Sequence, residues 1–123
     1  MKYQYRSQSV GGRCAVSEVT TTMTGNITFP RWTRRAGASA DLGTRWDRYE
    51  AALRQHEEGH LDHGRELADR LVTELKDVPP AQSCGELDQR VRARFDTLLK
   101  QYNQKDLDYD QRTQHGRAQG AQL

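Results

Sequence analysis

Three of the chain's four histidines fall in one short stretch, "RQHEEGHLDHG", from Arg54 to Gly64. His56, Glu57 and His60 match the pattern H-E-x-x-H. Residues four apart on a helix project to the same side, about 6 Å apart along the axis, so both imidazoles can reach one metal ion. Zinc takes histidine nitrogen at about 2.0–2.1 Å. The glutamate after the first histidine then sits beside the metal's open position, where it can take a proton from an activated water. Glu57 has that place, and Glu58 reads as a solvated helix residue. The metal-free alternative is a pair of hydrogen-bonded core histidines at a polar interface.

A catalytic zinc site usually has three protein ligands. His63 is the near candidate, but it lies about 10.5 Å from His56 along a straight helix axis, so one ion does not readily satisfy all three histidines. A longer pattern with glycine and histidine further along fails, because His63 and Glu66 stand at those positions. Glu74 falls on the same helix, about 20 Å up the axis. Glu86 follows a proline turn and already has a capping role. His115, in the polar tail, is the histidine that is left.

The element that positions these residues is a helix starting near Ser39 or Asp41, both good caps, and ending before Pro79-Pro80. Leu42, Trp46, Tyr49, Leu53, His56, His60, His63, Leu67, Leu71 and Leu75 recur at steps of three or four and form one face. The histidines therefore interrupt a core-facing stripe. The pattern predicts this helix over 39–77. A second is predicted over 83–104, with Ser83 and Glu86 at capping-box spacing and Leu87, Val91, Phe95, Leu98 and Tyr102 on one face.

Before the helices, residues 1–32 read as strands, with turns at Gly11-Gly12 and Gly25-Asn26. Strict alternation puts Cys14, Val16, Glu18, Thr20 and Thr22 on one face and Ala15, Ser17, Val19, Thr21 and Met23 on the other. Neither face is strongly apolar, which suggests a thin or edge sheet. "RRAGASAD" is a loop. The tail, 105–123, reads by composition as loop or disorder. The expected fold class is α+β in one domain, 1–123: a small N-terminal antiparallel sheet on a long H-E-x-x-H helix and a second helix.

Composition limits the function. Hydrophobic residues make up 34% of 123 residues, and a small core often needs a metal or disulfide staple. The net charge is +2 with both signs interspersed, so nothing indicates nucleic acid. No run approaches the ~20 apolar residues of a membrane span. The chain opens on strand-like residues, which leaves a cytoplasmic protein or one whose export signal is not in this sequence. Cys14 and Cys84 lack C-x-x-C spacing, and either a long-range disulfide or two buried thiols fits them.

Several pieces in order resemble a bacterial family of predicted secreted zinc-dependent proteases, catalogued as a domain of unknown function and placed near the zincin-like peptidases. They are Cys14 before a strand, "ITFPRW" (27–32), Trp46 and Tyr49 ahead of "HEEGH", Cys84 opening the next helix, and "YDQRTQHG" (109–116). The resemblance covers about Cys14 to Gly116. Family members carry more residues before the first strand, so the sheet here is expected to be smaller.

The resemblance implies a zincin-like minimal domain that binds Zn2+ through His56 and His60, with Glu57 as base and His115 as third ligand. Tyr109 would serve as a hydroxyl donor to an oxyanion and Asp110 would orient a ligand from the second rank, unless both merely anchor the tail. His63 would be a second-rank or packing residue. Cys14 and Cys84 would form a disulfide, in keeping with a secreted or periplasmic protein. The strand ending in "ITF" would pair with an extended peptide. The expected activity is hydrolysis of peptide or amide bonds in a peptide or protein substrate, in the cell envelope among other places. Two alternatives are a non-catalytic zinc-stapled envelope or interaction domain and a helical interaction domain without metal.

Overall fold

The computed structural model describes residues 1–123. Its class is α+β: a two-stranded antiparallel sheet and two long helices. Strands β1 (Lys2–Val10) and β2 (Arg13–Thr22) form a hairpin. Helix α1 spans Ala40–Lys76 and helix α2 spans Cys84–Thr113. Two compact units make up the chain, residues 1–24 with 63–104 and residues 25–62 with 105–123. Each helix contributes a segment to both.

In the first unit the hairpin turns on Gly11 and Gly12, at φ 58° and 77°. A two-residue turn of this kind matches the twist of its strands only with both φ values positive, which glycine adopts freely. The register runs from Lys2 opposite Thr22 to Val10 opposite Arg13, with one shift between Arg6 and Ser7. Arg6 faces Glu18 and Ser7 faces Val16, so Ser17 is the extra residue of a β-bulge.

That bulge corrects the sequence reading of the strand faces. Alternation separates Cys14 and Val16 from Val19, but the inserted residue reverses the parity. Cys14 and Val19 are both buried in one core, with Val16, Tyr3 and Tyr5 packed on it. The rest of that core is Leu67, Leu71, Leu75, Val78, Ala81, Leu87, Val91, Leu98 and Tyr102. Leu71, Leu75, Leu87 and Val91 are wholly enclosed. Three polar contacts support the sheet and helices: Tyr5 Oη donates to Asp88 at 2.6 Å, Thr21 Oγ1 to the Ala68 carbonyl at 3.0 Å, and Tyr102 Oη to Glu66 at 2.9 Å.

A disulfide joins Cys14 on β2 to Cys84 at the start of α2. Beside it, the backbones of Cys14 and Ala81 exchange two hydrogen bonds of 2.9 Å. The link between sheet and helices is therefore both covalent and hydrogen-bonded.

Both helices are capped as their sequences suggest. Ser39 Oγ accepts from the Leu42 amide and Ser83 Oγ from the Glu86 amide. Two expectations change. Residues 23–32, including "ITF", form no strand. Gly25-Asn26 and Pro30 bracket a segment that pairs with nothing, and proline cannot donate to a ladder. Helix α2 does not stop at 104 but continues through half of the expected loose tail to Thr113. Its buried face carries on through Tyr102, Tyr109 and Thr113, and the first glycine after Gly85 is Gly116.

The disulfide closes a separation of 70 residues, for which chain entropy gives about 4 kcal/mol. Reduction, or Cys14→Ser, is therefore expected to lower unfolding stability by roughly that amount. Urea denaturation with and without reductant measures it, and unchanged midpoints would contradict the expectation.

Candidate metal centre

The site lies in the second unit. Its part of α1 carries His56 and His60, and its part of α2 carries Asp106, Tyr109, Asp110 and Thr113. Few apolar side chains are buried here: Ala52, Tyr109 and Ala121, together with polar His56 and Thr113. The centre of this unit is thus a polar cluster.

His56 is only 2% exposed, so both ring nitrogens need partners. Nδ1 lies 2.8 Å from Gln119 Oε1 and 3.3 Å from Thr113 Oγ1. Nε2 lies 2.9 Å from Asp110 Oδ1. His60, one turn along and with its ring at 89° to that of His56, directs Nε2 to the same Asp110 oxygen at 2.7 Å. Its Nδ1 meets Asp106 Oδ1 at 2.9 Å. Two imidazole Nε2 atoms thus converge on one carboxylate oxygen, while each Nδ1 faces an oxygen acceptor.

Two glycines let this cluster close. A Cβ on Gly59 would come within 2.6 Å of Tyr109 Cζ, so the bare helix surface there admits the tyrosine ring. That ring stacks on His56 (centroids 4.8 Å, 7° between planes) and meets His60 edge-on. Its hydroxyl donates to the His56 carbonyl and accepts from Gln119 Nε2, both at 3.1 Å.

At the end of α2, Gln114, His115 and Gly116 take φ values of 54°, 56° and 94° and reverse the chain. A Cβ on Gly116 would sit 3.2 Å from both Cβ and Cγ of His56. The following turn, Arg117–Gln119, brings Gln119 to the imidazole.

Charge in the cluster is mutually supporting. Burial disfavours the charged form of His60, but its bonds to Asp106 and Asp110 outweigh that and raise its pKa above the usual 6.5. Burial likewise opposes ionisation of Asp110, but the bonds to His60 and His56 and the field of His115 bring its pKa below the ordinary carboxylate range.

A divalent metal suits these donors. A tetrahedral ion with bonds of about 2.0–2.1 Å needs ligand atoms about 3.3 Å apart. Asp110 Oδ1 lies 2.9 Å from His56 Nε2 and 2.7 Å from His60 Nε2, and each of these separations would need to open by only about half an ångström. Acceptors at both Nδ1 atoms are the outer contacts that metal-bound histidines require.

The other expected site residues are placed as follows. Glu57 is half-buried, directly after His56. His115 is exposed, with Nδ1 3.8 Å from Asp110 Oδ2. It does not join the donor atoms of His56, His60 and Asp110, which lie within 4.8 Å of one another. His63 belongs to the first unit and is half-buried there. Glu74 is held by Arg70 and Arg94. Asp106, Thr113 and Gln119 were not picked out from the sequence. The spacing Asp106–Asp110–Thr113, steps of four and three, would have found the first two had the tail been read as helix.

Residues 1–116 match the family described as "Bacterial protein of unknown function (DUF922)". No curated protein and no solved structure matched.

Without metal, the stability tied to His60 is fully present below its ordinary pKa and is lost as pH rises through the raised folded value. The share tied to Asp110 is present above its ordinary value and is lost as pH falls through the lowered one. Chelator-treated protein should therefore melt highest at mildly acidic pH, and Asp110→Asn should flatten the profile. A profile unaffected by that change would show the pair to be uncoupled. Separately, Gly59→Ala should cost about 1–3 kcal/mol by driving Tyr109 off His56, read by denaturant unfolding.

Proposed function

We propose, from the premise that the chain belongs to the DUF922 family of bacterial proteins of unknown function, that it is a small zinc-dependent metallopeptidase. The observation that carries this reading is the convergence of His56 Nε2 and His60 Nε2 on Asp110 Oδ1, at 2.9 and 2.7 Å. His56, His60 and Asp110 would hold the zinc. Asp110 replaces the more distant His115 as third ligand in this proposal, and His115 remains the next donor outward. Zinc there would supply Lewis acidity, polarising a carbonyl and making water acidic near neutral pH.

The chain's own residues do the rest. Glu57 follows His56 on α1 and serves as general base, taking the proton of the attacking water and passing it to the leaving amine. Asp106 accepts from His60 Nδ1 and keeps its Nε2 directed to the metal. The substrate would be a peptide or protein. The Cys14–Cys84 disulfide suits an oxidising compartment such as the periplasm or cell exterior. No helix is long and apolar enough to cross a membrane.

One observation favours a second reading, a non-catalytic zinc-stapled domain. The second unit buries so few apolar side chains that bound metal would contribute much of its folding energy.

The readings separate at Glu57. Glu57→Gln should abolish chelator-sensitive peptide hydrolysis and leave one zinc bound, measured by a peptide-library digest and metal analysis. If parent and variant both bind zinc and neither cleaves, the staple reading holds. Asp110→Ala should weaken zinc binding by 100-fold or more, roughly the loss of one ligand, whereas His115→Ala should weaken it by about tenfold or less. The reverse order would make His115 the ligand.

A further inference from the structure

We infer that a groove beside the metal centre is a subsite for a carboxylate of the substrate, and that Arg117 is the residue that recognises it. As a subsite it rests on the peptidase reading given above and deepens it. The binding of a carboxylate does not depend on that reading.

The groove is built from the residues after α2, "HGRAQGAQL" (115–123). Gly116 and Gly120 take φ values of 94° and 103°, where residues with a side chain are strained. Between them the backbone makes one tight turn. The Arg117 amide donates to the Gln114 carbonyl, and the Gly120 amide donates to the Arg117 carbonyl. The Ala121 amide returns to the Gly116 carbonyl at 2.9 Å, and Ala121 is itself buried. The main chain is thus held in place while Arg117 stays exposed.

This segment and Tyr49 of α1 line an open groove of about 820 Å³, within the roughly 300–1,000 Å³ usual for ligand sites. Tyr49, Ala121 and Leu123 give it apolar walls, and Arg117 gives it a cation. No acidic side chain lines it. Arg35, Arg54, Arg70, Arg90 and Arg94 are each matched by a carboxylate, and Arg117 has no such partner. A neighbouring groove that shares Gln122 and Leu123 is lined by Arg45 and Arg48, again with no acidic side chain. Asp41 reaches Arg45 only at 3.8 Å, an exposed pair of little worth. This face of the unit is therefore short of negative charge.

Its position ties it to the metal centre. His115 also lines the groove, and its Nδ1 lies 3.8 Å from Asp110 Oδ2. A peptide whose scissile carbonyl reached the metal would lay a neighbouring residue along the groove. The anionic groups of a peptide are carboxylates, on Asp and Glu side chains and at the C-terminus. A guanidinium takes a carboxylate through two parallel N–H donors.

The test titrates the full chain, in the presence of zinc, with three probes. They are acetyl-Ala-Glu-Ala-amide, acetyl-Ala-Gln-Ala-amide, and acetyl-Ala-Gln-Ala with a free C-terminus. Backbone amide NMR reads affinity and location. At low salt the parent should bind one or both anionic probes roughly fivefold more tightly than the neutral one. The shifts should fall in residues 114–123, and the preference should shrink in high salt. Which anionic probe gains tells a side-chain carboxylate from a terminal one. Arg117→Gln should remove the preference and Arg117→Glu should reverse it, with unfolding midpoints confirming that both variants fold.

Equal affinity of the parent for all three probes overturns the inference. So does a preference that survives Arg117→Gln, since the carboxylate would then sit on the metal or elsewhere. A parent that shows the preference and cleaves no peptide defeats the peptidase reading and leaves the carboxylate site standing. A parent that cleaves peptides with no preference does the reverse.

Discussion

A histidine ring shut away from water must find a partner at each nitrogen, because an unpaired buried polar group costs on the order of 1–3 kcal/mol. His56 is such a ring, and most of the second unit can be understood as the means of satisfying it. Asp110 comes from one turn of α2 and Thr113 from the next. Tyr109, the residue before Asp110, covers the ring's face. Gln119 arrives only because the chain reverses through three consecutive left-handed residues. Remove the need to pair His56 and little else in this unit would hold the segment after α2 in place.

The same polar economy explains why the site suits a metal. Two imidazoles directing Nε2 at one carboxylate oxygen make a site short of positive charge. Without metal, the contacts between His60 and Asp110 favour the charged form of each, which raises the pKa of His60 and lowers that of Asp110. A divalent cation would supply that positive charge directly. The unit has little apolar burial to fall back on, so structural and chemical uses of the ion would share one set of ligands.

The first unit is organised differently. It has an enclosed leucine and valine core, a disulfide and a paired backbone bridge next to that disulfide. Its one irregularity, the bulge at Ser17, is what brings Cys14 and Val19 to the same face. Without the extra residue, either the disulfide or the valine would point away from the core.

The sequence by itself determined the helices and which histidines share a face. Period and caps place α1 and the start of α2, and the H-E-x-x-H spacing sets His56 and His60 on one side, because i and i+4 share a helix face whatever surrounds them. The turn at Gly11-Gly12 was equally local. What only the tertiary structure decided was anything that depends on a partner. The strand faces turned on a bulge defined by the opposite strand. The tail was helical because Tyr109 and Thr113 had His56 to pack against, which composition does not record. Asp110, 50 residues from His60 along the chain, came to face both imidazoles through packing in three dimensions, which spacing along one helix cannot specify.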